Sequence, residues 1–113
     1  MTTDVDFDSV AVFSLLGNRR RLLIVGYLSL FEEGTSVEVR HLARVVRGVE
    51  LGKPPRLVSS NDYESAYNSL IQTHLPKLAA HNVVEYDASR KTLSPTHRIA
   101  QCALLAQITH YLN

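Results

Sequence analysis

Apolar residues at Tyr67, Leu70, Ile71, Leu75 and Leu78 recur at i, i+3 and i+4, the spacing that lays one buried stripe along an α-helix. Hydrogen-bonding side chains fill the opposite face: Asn68, Ser69, Gln72, Thr73 and Lys77. At Val83-Val84-Glu85-Tyr86-Asp87 the period changes to two. After a turn at Ala88-Ser89-Arg90 the chain returns through Lys91-Thr92-Leu93. A helix over residues 62–81 is therefore expected to run directly into a hairpin over 83–94.

The rest of the chain reads mostly as helix. A short first helix over 8–16 sets Val10, Phe13 and Leu15 or Leu16 on its apolar side and breaks at Gly17-Asn18. A second is predicted over 19–33, with Gly34 as its C-terminal cap. Its interior, Leu22 to Leu28, is apolar nearly all round, as expected of a central buried helix. Gly26 inside it weakens the helix intrinsically, which predicts a close helix–helix crossing as compensation. Thr35-Ser36-Val37 reads as a short extended piece. The next helix, over 39–50, buries Val39, Leu42, Ala43 and Val46 and sets Arg40, Arg44 and Arg47 on its other face.

Gly52, Pro54 and Pro55 make residues 51–60 an irregular connector. Ser60 or Asn61 is placed to cap the helix that follows, with Asp62 and Glu64 favouring its positive end. Within that helix Pro76 deletes the hydrogen bond to the carbonyl of Gln72, so a bend or a water-bonded carbonyl is expected there. Asn82 stands where the chain leaves the helix, and asparagine tolerates positive φ. A last helix from Pro95 or Thr96 to Leu112 carries Ile99, Ala100, Ala103, Leu104, Leu105, Ile108, Tyr111 and Leu112. That is more apolar surface than one flank of a small monomer covers. The chain divides into an acidic tail with a short helix (1–17), a central domain (18–95) and a C-terminal helix (96–113). Ile99, Leu104, Leu105, Ile108, Tyr111 and Leu112 are the candidate homodimer contacts.

At 113 residues and 45% hydrophobic content, one domain with a modest core is expected. No apolar run approaches membrane-spanning length and the acidic start MTTDVDFD is no secretory signal, so a cytoplasmic location is expected. The single cysteine, Cys102, excludes an intrachain disulfide and a cysteine-based zinc cage. Net charge is only +1, but it is unevenly spread. The first 17 residues hold three aspartates and no basic side chain, leaving a body of +4 that suits approach to a polyanion.

Asn, Ser, Gln and Thr on one helix face match the donor and acceptor pattern of base-pair edges in a major groove. The candidate double-stranded DNA contacts are therefore Asn68, Ser69, Gln72 and Thr73 at bases and Lys77 at phosphate. Arg90 and Lys91 at the hairpin tip would enter a minor groove or touch phosphate; the alternative is a soluble turn. Arg40 and Arg44, with Arg47, would track the backbone or else form a salt-bridged surface with Glu38 and Glu50. The run Arg19-Arg20-Arg21 opens a helix, the unfavourable end for cations, so Asp4, Asp6, Asp8 or a phosphate should hold it. His74 and His81 stand seven apart with no further ligand spacing, so no metal site is inferred. No nucleophile–base pair, phosphate loop or paired carboxylates occur. Enzymatic activity, a cofactor and a small-molecule ligand are not expected.

The blocks Leu16-Gly17-Asn18-Arg19-Arg20-Arg21, Val39-Arg40-His41-Leu42-Ala43, Gln72-Thr73-His74-Leu75-Pro76-Lys77-Leu78 and Val83-Val84-Glu85-Tyr86-Asp87 carry a resemblance. Over roughly residues 15–95 the chain resembles the short winged-helix domains of haloarchaeal proteins, grouped as a domain of unknown function. His81-Asn82 replaces a more usual Ala-Gly pair, and the near-neutral charge departs from the acidic surfaces of halophile proteins. The resemblance implies a mainly α fold with a small β-hairpin (α+β), a winged helix-turn-helix with extra terminal helices, and a transcription-related role. The expected function is a homodimeric, sequence-specific regulator reading a near-palindromic site. The rivals are a winged helix that binds protein, as a transcription-complex subunit or antirepressor, and a replication or partition accessory factor.

Overall fold

The computed structural model describes the backbone of residues 9–112 and the side chains of residues 11–108. Among the described residues, six α-helices and three short strands surround one core. In order they are α1 (Ser9–Leu15), α2 (Arg19–Leu28), β1 (Val37–Glu38), α3 (Val39–Leu51), α4 (Ser60–Ser69), α5 (Leu75–Ala80), β2 (Val84–Asp87), β3 (Thr92–Pro95) and α6 (Ile99–Leu112). Leu16, Ile24, Leu28, Leu42, Leu70, Leu75, Leu78 and Val83 are fully buried at the centre. Each contributes about 1.5–3 kcal/mol by leaving water.

The predicted hairpin is one part of a three-stranded antiparallel sheet in the order β1-β3-β2. Tyr86 pairs with Leu93, and Leu93 also faces Val37 of β1. The extended piece near Val37 thus docks on the hairpin, a pairing between residues too far apart for local pattern to reveal. Gly34, expected to cap α2, does a different job. At φ 84° its N–H bonds the carbonyl of Pro95, continuing the contact with β3.

Helix α2 ends early, at Leu28, where the Ser29 hydroxyl donates to the Gly26 carbonyl and competes with continued helix. It is one-sided: Ile24, Val25 and Leu28 are buried, while Leu22, Leu23 and Tyr27 are only partly so. Gly26 is exposed, and a β-carbon there would meet nothing within 4 Å, so the expected close crossing does not exist. In α1 and the residue just after it the inward stripe is Val12, Leu15 and Leu16. Phe13, one residue round the helix from it, is 39% exposed rather than packed. Val10, Asp4, Asp6 and Asp8 lie outside the described side chains.

The close approach falls at Gly48 in α3, where a β-carbon would sit 2.6 Å from the Lys53 carbonyl oxygen. Gly52 at φ 68° turns the chain there, and the Lys53 N–H bonds the Gly48 carbonyl at 2.8 Å. The connector is not wholly irregular, since Pro55–Leu57 forms one 3₁₀ turn. The cap of α4 is Ser59 rather than Ser60 or Asn61. Its hydroxyl oxygen accepts from the Asp62 N–H and donates to the Asp62 carboxylate.

Candidate nucleic-acid interface

Helices α4 and α5 form a single rod over residues 60–80, joined by a π-helical turn at Leu70–His74. Pro76 explains the turn. In a regular α-helix its ring would press on the Gln72 carbonyl and leave it without a donor; one wider turn just before it relieves the clash. The Leu75 N–H accordingly reaches back five residues to the Leu70 carbonyl. The expected bend is thus a local change of winding. Beyond it the helix resumes with Leu75 and Leu78 buried and Lys77 exposed. The rod ends where Asn82 takes φ 60°, as its sequence position suggests, and the His81 ring bonds the Lys77 carbonyl.

On the outer face Asn68, Gln72, Thr73 and Lys77 are exposed and Ser69 is half-buried. No carboxylate interrupts Ser65 to Lys77. Tyr67 and Ile71 are partly buried against the core, and Ala66, Leu70 and His74 fill the inner side.

The hairpin tip is internally braced. Asp87 Oδ1 accepts from the Ser89 N–H, the Ser89 hydroxyl and the Arg90 N–H, and these bonds hold its carboxyl below the ordinary carboxylate range. Arg90 projects, its side chain 82% exposed. Lys91 adopts φ 54° and its Nζ donates to the Ala88 carbonyl at 2.5 Å, so it is half-buried and less available than Arg90.

The arginines of α3 separate into two kinds. Arg40 is exposed. Arg44 is held inside: its guanidinium stacks 4.5 Å over the Tyr63 ring and donates to the Val58 carbonyl, fastening α3 to α4. Arg47 bonds Glu50 at 3.0 Å and Asp62 at 3.1 Å. Glu50 also takes a two-pronged grip from Arg20, at 2.6 and 2.9 Å, which with Arg47 lowers its carboxyl pKa. Arg20 is therefore held by a carboxylate 30 residues away, a partner that no local spacing in the sequence reveals. Glu38 makes no ion pair among the described residues. Arg19 remains exposed.

Arg21 and His74 are buried together. Arg21 Nε donates to the Leu15 carbonyl at 2.6 Å and its Nη1 lies 3.2 Å from His74 Nδ1. Burial is the main cause holding the His74 pKa down, followed by the positive charge of Arg21. A cleft of about 280 Å³ between α1 and α5 is lined by Ser14, Arg21, Lys77 and His81 among others. His41, His74 and His81 each have a different partner (Tyr27 hydroxyl, Arg21, Lys77 carbonyl), and no trio of metal-ligating side chains gathers among the described residues.

Helix α6 packs on α2 and α1, and its Ile99 and Cys102 are buried. Ile99, expected at a dimer contact, is core. Leu105 is partly buried, Leu104 is 57% and Ile108 41% exposed; Tyr111 and Leu112 lie outside the described side chains. A second apolar surface, not foreseen, is a groove between α2 and α3 flanked by exposed Leu30 and Val49. No described helix is long and apolar enough to cross a membrane.

A family model described as a domain of unknown function (DUF7344) matches residues 13–94. No curated protein and no solved structure matches the chain.

Proposed function

The chain belongs to the DUF7344 family, and we propose that it is a winged-helix DNA-binding regulator. The observation that carries this reading is the rod over 60–80, which offers a polar face free of carboxylates from Ser65 to Lys77 and leads directly into a hairpin with Arg90 at its tip. The helix–strand–helix–helix–hairpin order and the sheet order β1-β3-β2 support this reading, as does the resemblance to haloarchaeal domains. Asn68, Gln72 and Thr73 read base edges; Lys77, Arg90 and Arg40 contact phosphate; Ser69 and Lys91 contribute less because they are half-buried. Arg44 positions the rod rather than touching DNA. Leu104 and Ile108 supply the contact of a homodimer on a near-palindromic site.

A protein-binding role is the second reading, favoured by the apolar groove beside Leu30 and Val49. Fluorescence anisotropy against duplexes flanking the gene, at several salt concentrations, separates the two. Lys77→Ala and Arg90→Ala should each weaken binding to all sequences and lower the salt slope by about one. Gln72→Ala should relax one base position by about 1–3 kcal/mol. Absence of salt-sensitive binding to every duplex would refute the DNA reading.

A further inference from the structure

We propose that the buried Arg21–His74 contact is a proton-operated latch that seats the DNA-reading rod against the core. The inference rests on the DNA reading above for its consequence, but not for its mechanism. Three observations meet at one place. His74 is the last residue of the π-helical turn and is only 6% exposed. Its Nδ1 faces Arg21 Nη1 at 3.2 Å, and Arg21 is itself tied to the Leu15 carbonyl. The π turn determines which residues after it face outward, because one extra residue per turn rotates everything C-terminal of it by about 100° relative to a regular helix. Lys77 shares the outer face with Asn68 and Gln72 only while that turn persists.

A guanidinium has donors and no acceptor, so Nδ1 must accept and the proton of the neutral ring must sit on Nε2. A second proton, on Nδ1, would put donor against donor and a positive charge against Arg21 inside the fold. The groups around His74 deepen that conflict. Arg20 and Arg21 come from α2 and Lys77 from α5, and the one opposing charge, Glu50 of α3, is already bonded to Arg20 and Arg47. Arg21 has an outlet, since it lines the cleft shared with Lys77 and His81. Protonation therefore releases Arg21 toward that cleft, parts the imidazole from the guanidinium, and unseats from the core the π turn that Pro76 imposes. Mild acid should switch the reading face off.

Ordinary DNA binding trends the other way, because protonating exposed histidines adds positive charge and tightens phosphate contact. The test titrates duplex binding from pH 8 to 5 for the full chain and for His74→Gln. The Gln side-chain oxygen can accept from Arg21 and does not titrate. The expected result is at least a tenfold weakening for the parent as pH falls below 6.5, the ordinary imidazole value, and no weakening for His74→Gln. Flat or tighter parent binding in acid, or an equal loss in His74→Gln, would overturn the latch. Nitrogen NMR of the histidine rings in the DNA-free protein gives a second readout. It should find the His74 proton on Nε2 at neutral pH, and amide shifts of residues 70–77 moving together as His74 titrates. Titration that leaves those amides unmoved would overturn the latch. A chain that binds no duplex at any pH, yet shows this coupling, would refute the DNA reading and leave the latch standing.

Discussion

Replacing glycine by alanine should have opposite effects at two positions, and the structure fixes both signs. In a helix interior the change removes backbone freedom from the unfolded chain and is worth about 0.5–1 kcal/mol in favour of folding. At Gly26 in α2 a β-carbon meets nothing within 4 Å, so that gain is realised in full. At Gly48 in α3 the same atom would lie 2.6 Å from the Lys53 carbonyl oxygen and 3.5 Å from the Pro55 nitrogen. Both neighbours are backbone and cannot swing aside. Lys53 must retreat by about half an ångström, at about 1–3 kcal/mol for overpacking. The movement also strains its 2.8 Å bond to Gly48, worth about 1 kcal/mol. Set against the propensity gain, Gly48→Ala should lose about 1–3 kcal/mol, lowering the melting temperature by about 4–12 °C. Gly26→Ala should raise it by about 2–4 °C. Circular dichroism melts and urea midpoints of both variants measure this. A Gly48→Ala protein as stable as the parent would refute the tight reversal of chain after α3.

Leu104→Asp or Ile108→Asp should convert a dimer to monomers, read by sedimentation; a parent chain that is monomeric at micromolar concentration would end the dimer proposal. Cys102 is buried and its thiol is pushed up to about 11 by desolvation. A thiol reagent at neutral pH should label it only as fast as the fold opens, and immediate labelling would contradict its burial. Stability should also fall on acidification in two stages. His74, its folded pKa depressed, takes its proton first in the unfolded chain, so stability declines as pH drops below 6.5 towards the folded value. Glu50, also depressed, contributes stability that is complete above about 4.5 and lost as pH falls through its folded value. Urea midpoints across pH should show His74→Gln and Glu50→Gln each abolishing one stage.

The features legible in the sequence are those governed by neighbours in the chain. The stripe Leu70, Leu75, Leu78 gave the rod, the alternation after Asn82 gave the hairpin, and Asn82 itself marked the left-handed exit. What escaped depends on residues distant in sequence. Arg20 meets Glu50, Arg44 meets Tyr63 and Arg21 meets His74, and no local period encodes such pairs. Pro76 signalled a disturbance but not its form, because a proline inside a helix is compatible with a kink or with a wider turn. Gly26 and Gly48 look alike in the sequence; the folded position of Lys53 tells them apart. Arg44 looked like a surface cation because periodicity reports which face a residue occupies, not what packs against that face.

The pairing of β1 with β3 bears on the order in which the chain folds. Val37 and Leu93 are partners across 55 intervening residues, which include the whole of α3, α4 and α5. Closing so long a loop in an unfolded chain costs more entropy than two strand residues return. The helices between them must therefore fold back first and bring the ends together, so the sheet registers last. The hairpin tip owes its final position to a contact completed only after the helical part is in place, which makes the hairpin a late reporter of correct folding.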